Sequence, residues 1–229
     1  MIILPSGPEF SNFLTVRLAT VGLTIECLGA ALPIAFARMA NTLALNSDKY
    51  CRNAAGQPTL RMAHYSQMTL FLYNLARAIY LAGDPETANR VYFLNTSQSS
   101  CDLFYEVALP LRVHCDHPLG TIIGRGYFDP DMALVFSDGC CIGNNWGIYP
   151  EIQGNLAMMP RSAVIGATEI RGTVILARGA SLIDAGIVED CIVFGPSGET
   201  RKSLDLHKAA SFFPFKLAYD QSGPATSDA

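Results

Sequence analysis

The chain has 229 residues, of which 50% are hydrophobic and only 16% are charged. This length and apolar content predict one large or two small domains with a sizeable buried core, or a buried interface between copies of the chain. The net charge of −4 disfavours a nucleic-acid partner, although local arginine and lysine side chains could still bind a small anionic ligand.

The first part of the chain has the patterning of helices joined by polar loops. Residues 1–10 are expected to be extended or loose, and residues 11–45 show helical apolar spacing with a break near Pro33. A loop rich in Asn, Gly and Asp follows at Asn46–Pro58. The chain is therefore predicted to open with a helical region.

A longer helix is predicted over Met62–Ala82, because apolar residues recur there at spacings of three and four. Gly83 is expected to end this helix. Asp84 is then suited to cap the next helix and Pro85 to occupy its first turn. That second helix is predicted to run to about Leu94.

Two features bear on the compartment of the protein. Leu18–Phe36 is the one candidate membrane segment, but Glu26 and Pro33 interrupt it and no charge cluster flanks it, so we expect a buried or interfacial helix and no membrane span. The chain has seven cysteines without a CxxC motif, and we expect free thiols in a reducing cytoplasm. These cysteines are Cys27, Cys51, Cys101, Cys115, Cys140, Cys141 and Cys191.

A six-residue repeat of aliphatic side chains dominates the second half of the chain. The residues of this repeat are Ile152, Met158, Val164, Ile170, Leu176 and Leu182. A helix buries a face every 3.6 residues and an ordinary strand every two, so neither produces a period of six. A parallel β-helix built from hexapeptides does, with each aliphatic residue pointing inward and three hexads forming one triangular coil.

The predicted fold class is α+β, with an N-terminal helical domain followed by a parallel β-helix of roughly five coils. We place the helical domain at residues 1–100, the β-helix at 101–200 and a C-terminal tail at 201–229. A loop at Asn144–Pro150 is expected to project from one coil. The last residues, Gln221–Ala229, are small and polar and are expected to be disordered.

The second half contains four distinctive segments, which are Asp102–Pro110, Asp116–Gly124, Cys141–Asn145 and Gly147–Ile152. They resemble the serine acetyltransferase branch of the hexapeptide-repeat acyltransferases. Asp102–Pro110 resembles the first strand after the helical domain, and Asp116–Gly124 resembles the Asp-His-x-x-Gly active-site segment. Cys141–Asn145 resembles the Gly-rich step before the projecting loop, and Gly147–Ile152 its return. The resemblance covers about residues 60–200 and is closest to serine acetyltransferase-like proteins of sugar and cell-surface biosynthesis. It implies that the β-helix is left-handed.

The resemblance implies an O-acyltransferase that moves an acyl group from acetyl-CoA to a small hydroxyl-bearing acceptor. His117 would be the general base, because a hydroxyl must lose its proton as it attacks a thioester. Asp102, fifteen residues upstream, would hold the imidazole in one tautomer, and Asp116 would lie near the acceptor. From the residues alone, a corner histidine bonded to backbone and a turn or cap aspartate are equally ordinary explanations.

Coenzyme A would lie in a groove between neighbouring subunits, as the resemblance implies. Small residues at matching positions would contact the pantetheine arm, and cationic side chains would bind the phosphates. The small residues are Gly143, Asn144, Ser162 and Ala180, and the cations are Arg161, Arg178 and Lys202. Corner geometry alone would explain the small residues, and a solvated surface charge would explain any one cation.

The loop that contains the only tryptophan departs from the family pattern. Serine acetyltransferases typically have Arg-His before the proline of the returning loop, whereas this chain has Ile148 and Tyr149. Isoleucine cannot bind a carboxylate. Tyr149 and Trp146 are therefore assigned to the acceptor site, and L-serine is expected to be a poor acceptor compared with a sugar or another bulkier hydroxyl or amine compound. Packing of the loop onto a neighbouring subunit is the alternative explanation for both aromatic residues.

The resemblance further implies a homotrimer or a dimer of trimers. A non-catalytic oligomeric scaffold remains the alternative from another functional class. A metal-dependent hydratase is less favoured, because only His114 and His117 lie close in sequence and Cys115 or Cys140 could at most complete a ligand set. We therefore assign no metal ligands.

Overall fold

The computed structural model describes residues 1–217, so the disorder predicted for Gln221–Ala229 lies outside the described residues. Helices and one two-stranded parallel sheet make up the N-terminal half. Its elements are β1 (Ile2–Leu4), α1 (Gly7–Ala19), α2 (Ala31–Leu45), β2 (Thr59–Arg61), α3 (Tyr65–Leu81) and α4 (Pro85–Ser99).

The sequence predictions for the helices are largely confirmed. The helix predicted over 62–82 is α3, and the helix predicted after Gly83 is α4. The carboxylate of Asp84 accepts a hydrogen bond from the backbone N–H of Thr87 at 3.0 Å, so Asp84 caps α4 as expected. The helix extends to Ser99 instead of ending near Leu94.

Two local predictions need correction. Residues 1–10 are extended only over β1, which pairs in parallel with the distant β2, because α1 already begins at Gly7. The helical region breaks between α1 and α2 and not at Pro33, which lies in the first turn of α2. Proline is tolerated there because the N–H it lacks would have no partner inside the helix.

Helix α3 passes through the centre of the helical half and holds the connection to the second half. Nearly all of its residues from Ser66 to Ile79 are buried, as expected for a helix that is apolar around most of its circumference. The hydroxyl of Tyr73 donates to the carbonyl of Val107 at 2.5 Å and accepts from the N–H of Leu109 at 3.0 Å. These bonds fix the start of the second half on the helices.

The second half is a solenoid of short strands. They are β3 (Asp102–Leu103), β4 (Arg112–Cys115), β5 (Ile122–Ile123), β6 (Tyr127–Phe128), β7 (Ala133–Phe136), β8 (Cys141–Gly143), β9 (Glu151–Ile152), β10 (Asn155–Met158), β11 (Ala163–Ile165), β12 (Thr168–Leu176), β13 (Ser181–Ile183) and β14 (Gly186–Phe194).

These strands stack in parallel on three faces. The first face has five strands in the order β3-β5-β8-β11-β13, one from each coil. The second face runs β4-β7-β10-β12-β14, and the third is formed by β6, β9 and the first parts of β12 and β14. The hexapeptide prediction is confirmed, because all six residues of the repeat are fully buried. Val164 pairs with Leu182, eighteen residues and one coil later.

A tight hairpin interrupts the third coil, as the loop prediction for Asn144–Pro150 anticipated. Asn145 and Ile148 exchange two backbone hydrogen bonds of 2.9 Å. The two residues between them, Trp146 and Gly147, have φ of +51° and +83°. Positive φ at both central residues defines a type I′ turn, which matches the twist of a hairpin.

The segment after the solenoid folds back over it. Strand β15 (Thr200–Ser203) pairs antiparallel with β14, and the short helix α5 (Leu206–Ala209) follows. Aromatic and aliphatic residues near the end of the described chain then pack on the outer side of the second face. This cluster consists of Ala209, Phe213, Phe215 and Leu217 against Ala133, Val135, Ala157 and Ile175.

None of the helices in residues 1–217 is long and apolar enough to cross a membrane. The membrane candidate Leu18–Phe36 is divided between the end of α1, a connecting loop and the start of α2. The seven cysteines are free thiols, and five of them are buried.

Candidate active site

His117 lies at a tight corner of the first coil. Its backbone has φ of +49°, a left-handed conformation that is uncommon for residues other than glycine. Short backbone hydrogen bonds hold the corner. The N–H of Leu119 donates to the backbone carbonyl of His117 at 2.7 Å, and the N–H of Gly120 donates to the backbone carbonyl of Ser100 at 2.7 Å. Unusual backbone conformations of this kind cluster at functional sites.

The His117 side chain projects from this corner into solvent, with 84% of its surface exposed in the single chain. The carboxylate of Asp116 lies 3.5 Å from its Nε2 atom. The ring is therefore accessible to an acceptor, and its nearest acidic partner is the residue beside it in sequence.

Asp102 has a different partner in the structure. Its Oδ1 atom accepts a 2.5 Å hydrogen bond from the hydroxyl of Tyr92 in α4. Burial, and next the bond to this carboxylate, raise the pKa of Tyr92. Within residues 1–217, no hydrogen bond joins Asp102 to His117, so the orienting role of Asp102 stays a prediction that requires the His117 ring to turn.

His117 and Asp116 stand at the rim of a cavity of about 470 Å³ between the helical half and the first coil. Helix α2 and the loop after it form one wall, the start of α3 a second, and strand β4 the third. Polar residues of the lining include Asn46, Asp48, Tyr50, His64, Gln67 and His114, and apolar ones include Met39, Leu43, Leu70 and Val113.

Burial disfavours the charged form of two further histidines in this cavity. Desolvation lowers the pKa of both His64 and His114, and the charge of Asp48 opposes that shift in both. Asn46 uses its amide oxygen to accept from the Asp48 N–H, so its amide nitrogen must donate to His114 Nδ1 at 3.0 Å. The bond selects the neutral tautomer of His114 with its proton on Nε2.

The sequence analysis missed His64, His114 and Asp48 as residues of this site. His64 caps α3, accepting from the Gln67 N–H at 3.4 Å, and its position just before a helix was the only local signal. His114 was considered only as a metal ligand. Within the described chain no three side chains of the ligand-forming types converge closely enough to hold a metal ion.

One edge of the solenoid continues from His117 along the axis to two arginines. Backbone hydrogen bonds of 2.8 to 2.9 Å connect successive corners. The N–H of Gly139 donates to the carbonyl of Leu119, that of Arg161 to the carbonyl of Asp138, and that of Gly179 to the carbonyl of Pro160. Parallel strands repeat about every 4.8 Å, so Arg178 lies roughly 14 Å along the edge from the His117 coil. Arg161 and Arg178 are both exposed on this edge.

The small residues predicted to contact coenzyme A divide into two groups. Ser162 and Ala180 stack one coil apart, as their eighteen-residue spacing predicts, but both are fully buried in the single chain. Their exposed neighbours on the edge are better placed to touch a ligand. Gly143 is half-buried and Asn144 exposed beside the hairpin. Lys202 is exposed on β15, and its Nζ atom lies 5.3 Å from the Phe194 ring centroid.

The two aromatic residues assigned to the acceptor lie away from the His117 cavity. Trp146 is 95% exposed at the hairpin tip. Tyr149 lines a separate open pocket together with Glu106 and Arg125, whose carboxylate and guanidinium groups are 2.7 Å apart. A single chain therefore does not bring Asp116 and Tyr149 together.

The fold is similar to that of several solved serine acetyltransferases. The enzyme from Brucella abortus superposes with a TM-score of 0.62 at 17% identity, covering 83% of this chain and 81% of that one. The Vibrio cholerae enzyme gives 0.61 at 16% identity, covering 81% and 75%. The Neisseria gonorrhoeae enzyme gives 0.60 at 13% identity, covering 96% and 85%.

These similarities show the fold of the chain, a helical N-terminal half followed by a left-handed parallel β-helix. The resemblance seen in the sequence motifs is thereby confirmed at the level of the fold. No family model matches the sequence, and no curated protein matches it either.

Proposed function

We infer that the protein is an O-acyltransferase that transfers an acyl group, acetyl in the simplest case, from coenzyme A to the hydroxyl of a small acceptor. The position of His117 supports this most strongly, since an accessible imidazole stands at the rim of a ligand-sized cavity in the first coil. The solved structures of similar fold are serine acetyltransferases by name.

In the proposed mechanism, His117 removes the proton of the acceptor hydroxyl as its oxygen attacks the thioester carbonyl. The tetrahedral oxyanion that forms is stabilised by backbone N–H groups. Its collapse breaks the carbon–sulfur bond, and the departing thiolate takes the proton from the imidazolium. Asp116 stabilises the transient charge on His117, and Asp102 becomes its orienting partner if the ring turns inward.

Coenzyme A is proposed to lie along the edge that links His117 to Arg161 and Arg178. The exposed guanidinium groups there suit phosphates, which arginine binds through paired hydrogen bonds. Lys202, at the last coil, would extend the same positive surface. Contacts from Gly143 and Asn144 would come from a neighbouring subunit, which the predicted trimer requires.

The decisive test is consumption of acetyl-CoA in the presence of a panel of amino alcohols, sugars and amino acids. The variant H117A is expected to lower kcat about 10²- to 10⁴-fold while coenzyme A binding persists, because only proton transfer is removed. H207A is the matched control, since His207 is an exposed histidine on α5. Activity of H117A within threefold of the unaltered protein would remove His117 from the mechanism.

A further inference from the structure

A groove of about 260 Å³ lies between α1, α3 and α4 in the helical half. Two of its lining residues, Met68 and Leu72 in α3, are buried. Phe13 of α1 and Met62 just before α3 are half-buried and add further apolar surface. The groove is separate from the edge proposed for coenzyme A and from the corner that carries His117.

One cationic side chain stands at this groove. Among the described lining residues, Arg17 is the only charged one, and its guanidinium carbon lies 5.2 Å from the centre of the Phe13 ring. The ion pairs of residues 1–217 do not include Arg17. A cation without a carboxylate partner, placed beside apolar side chains, suits an anion that carries an apolar group.

The polar side chains that α3 and α4 contribute to the lining have partners, except for Gln98. The Tyr65 hydroxyl donates to the Ser99 carbonyl, and the Asn95 amide donates to the Thr69 carbonyl at 3.0 Å. The hydroxyls of Thr69 and Ser99 donate to carbonyls of their own helices. The side-chain nitrogen of Gln98 is buried and has no hydrogen-bond partner within residues 1–217. Because buried donors in native proteins are almost always paired, a ligand oxygen here would supply the missing bond.

A second hollow, of about 450 Å³, adjoins the groove and shares Phe13, Arg17 and Met62 with it. Its other lining residues on α1 are exposed, so it gives a ligand a route of entry from solvent. Glu9 of this hollow lies two turns of α1 from Arg17, roughly 12 Å along the axis. Its carboxylate accepts from the Ser6 hydroxyl at 2.6 Å. The charge of Arg17 is therefore available to a ligand.

We propose that this groove is a second ligand site, which takes a small carboxylic acid with an apolar body. Arg17 and the Gln98 amide bind the carboxylate, and Phe13, Met62 and Met68 contact the apolar body. The volume of about 260 Å³ suits a compound of roughly ten non-hydrogen atoms. The proposal holds whether or not the protein is an acyltransferase.

The start of α3 separates this groove from the cavity beside His117. Ala63 and Tyr65 line both spaces, and His64 between them lines the cavity. A ligand in the groove therefore contacts both neighbours of His64, whereas His114 and His117 line the cavity from the first coil. The ring signals of these histidines report which of the two spaces is occupied.

Calorimetry near pH 7 with three compounds of similar shape tests the charge preference. Phenylpropionate is expected to bind about five- to tenfold more tightly than phenylpropionamide, because hydrogen bonds to a charged group are the stronger ones. Phenylpropylamine should bind least, since its ammonium group meets Arg17. In NMR spectra, the His64 ring signals should shift with phenylpropionate, while those of His114 and His117 stay in place.

The variant R17Q should abolish the preference for the acid and leave amide binding within about twofold. K208Q is the matched control, since it removes one positive charge from an exposed position on α5, and it should keep the preference. Q98M should weaken binding of both compounds about fivefold and raise the urea midpoint of the free protein, because an apolar side chain of similar shape replaces an unpaired buried donor.

Equal affinity for the acid and the amide, or an unchanged preference in R17Q, would overturn the proposal. So would shifts of His114 and His117 without a shift of His64, which would place the compound in the cavity. Absence of binding at millimolar phenylpropionate would overturn it as well. A lower urea midpoint in Q98M would do the same, because it would show that Gln98 is already paired in the free protein.

Discussion

Single residues of the site differ in how far the sequence could identify them. His117 belongs to a local motif, so its place at a corner was predictable from its neighbours along the chain. His114 and Asp48 are distant in sequence and converge only because strand β4 packs beside the loop after α2. Desolvation and the Asn46 hydrogen bond then decide the protonation of His114, and neither can be seen in the sequence.

We expect acid to destabilise the protein through His114. Burial lowers its pKa from 6.5 in the folded state, so as the pH falls below about 6.5 the unfolded chain binds a proton more readily than the folded one. The stability present above that pH is therefore lost as the pH falls towards the folded-state pKa. Urea midpoints at pH 7.5 and 5.5 should differ less in H114Q than in the unaltered protein.

The control for that measurement is H207Q, which replaces an exposed histidine and should keep the full pH dependence. His64, whose pKa is also lowered mainly by desolvation, remains in every variant and sets a common background. An identical pH slope in H114Q and in the unaltered protein would show that His114 is not the group responsible.

Among the elements, the hairpin and the coil corners show how turns are built on the solenoid. Asp184 has φ of +48°, and its carboxylate accepts from the Ala167 N–H at 2.8 Å and from the Asn145 side chain at 2.6 Å. Asp190 has φ of +42° and accepts from the Thr173 N–H at 2.8 Å. Both aspartates fix corners, but only Asp184 also holds the hairpin.

We expect D184A to loosen the hairpin as well as its corner. Loss of hydrogen-bonded acceptors should cost about 1–3 kcal/mol of unfolding free energy in D184A and in the matched variant D190A. Trp146 is the only tryptophan, so its fluorescence anisotropy reports hairpin motion directly. Anisotropy should fall in D184A and remain unchanged in D190A. An equal fall in both variants would show that Asp184 does not hold the hairpin.

The predicted helices and coils were recovered from the sequence because their signals are local. Apolar spacing in α3 and the six-residue repeat follow from the periods of a helix and a hexapeptide coil. The β1–β2 pair was missed, because its stability comes from a partner more than fifty residues away. The helix break was wrongly predicted at Pro33, because proline is compatible with the first turn of a helix as well as with a break.

At the scale of the whole molecule, the faces of the solenoid are covered unequally. The C-terminal segment covers the second face with Phe213 and Phe215, whereas Ile122 and Ile183 on the first face are each about half exposed in a single chain. An exposed aliphatic surface on a stacked sheet suits contact with another copy of the chain.

We accordingly predict a trimer, or a dimer of trimers, in which neighbouring chains complete the coenzyme groove. Sedimentation should give a mass of at least three times the 24.7 kDa chain at micromolar concentration. The variant I183D should dissociate the assembly and abolish turnover together, whereas L206D, on exposed α5, should do neither. A fully active monomer would contradict the prediction.

The sequence by itself determined the two-part architecture, the coils of the β-helix and the corner that carries His117. These features depend on periodicity, turn residues and short motifs, all of which act between neighbours along the chain. Only the tertiary structure decided that Asp102 binds Tyr92, that Tyr149 lies apart from Asp116, and that a cavity opens beside His117. The physical reason is that burial, charge environment and side-chain partners arise where distant segments pack, so no local pattern encodes them.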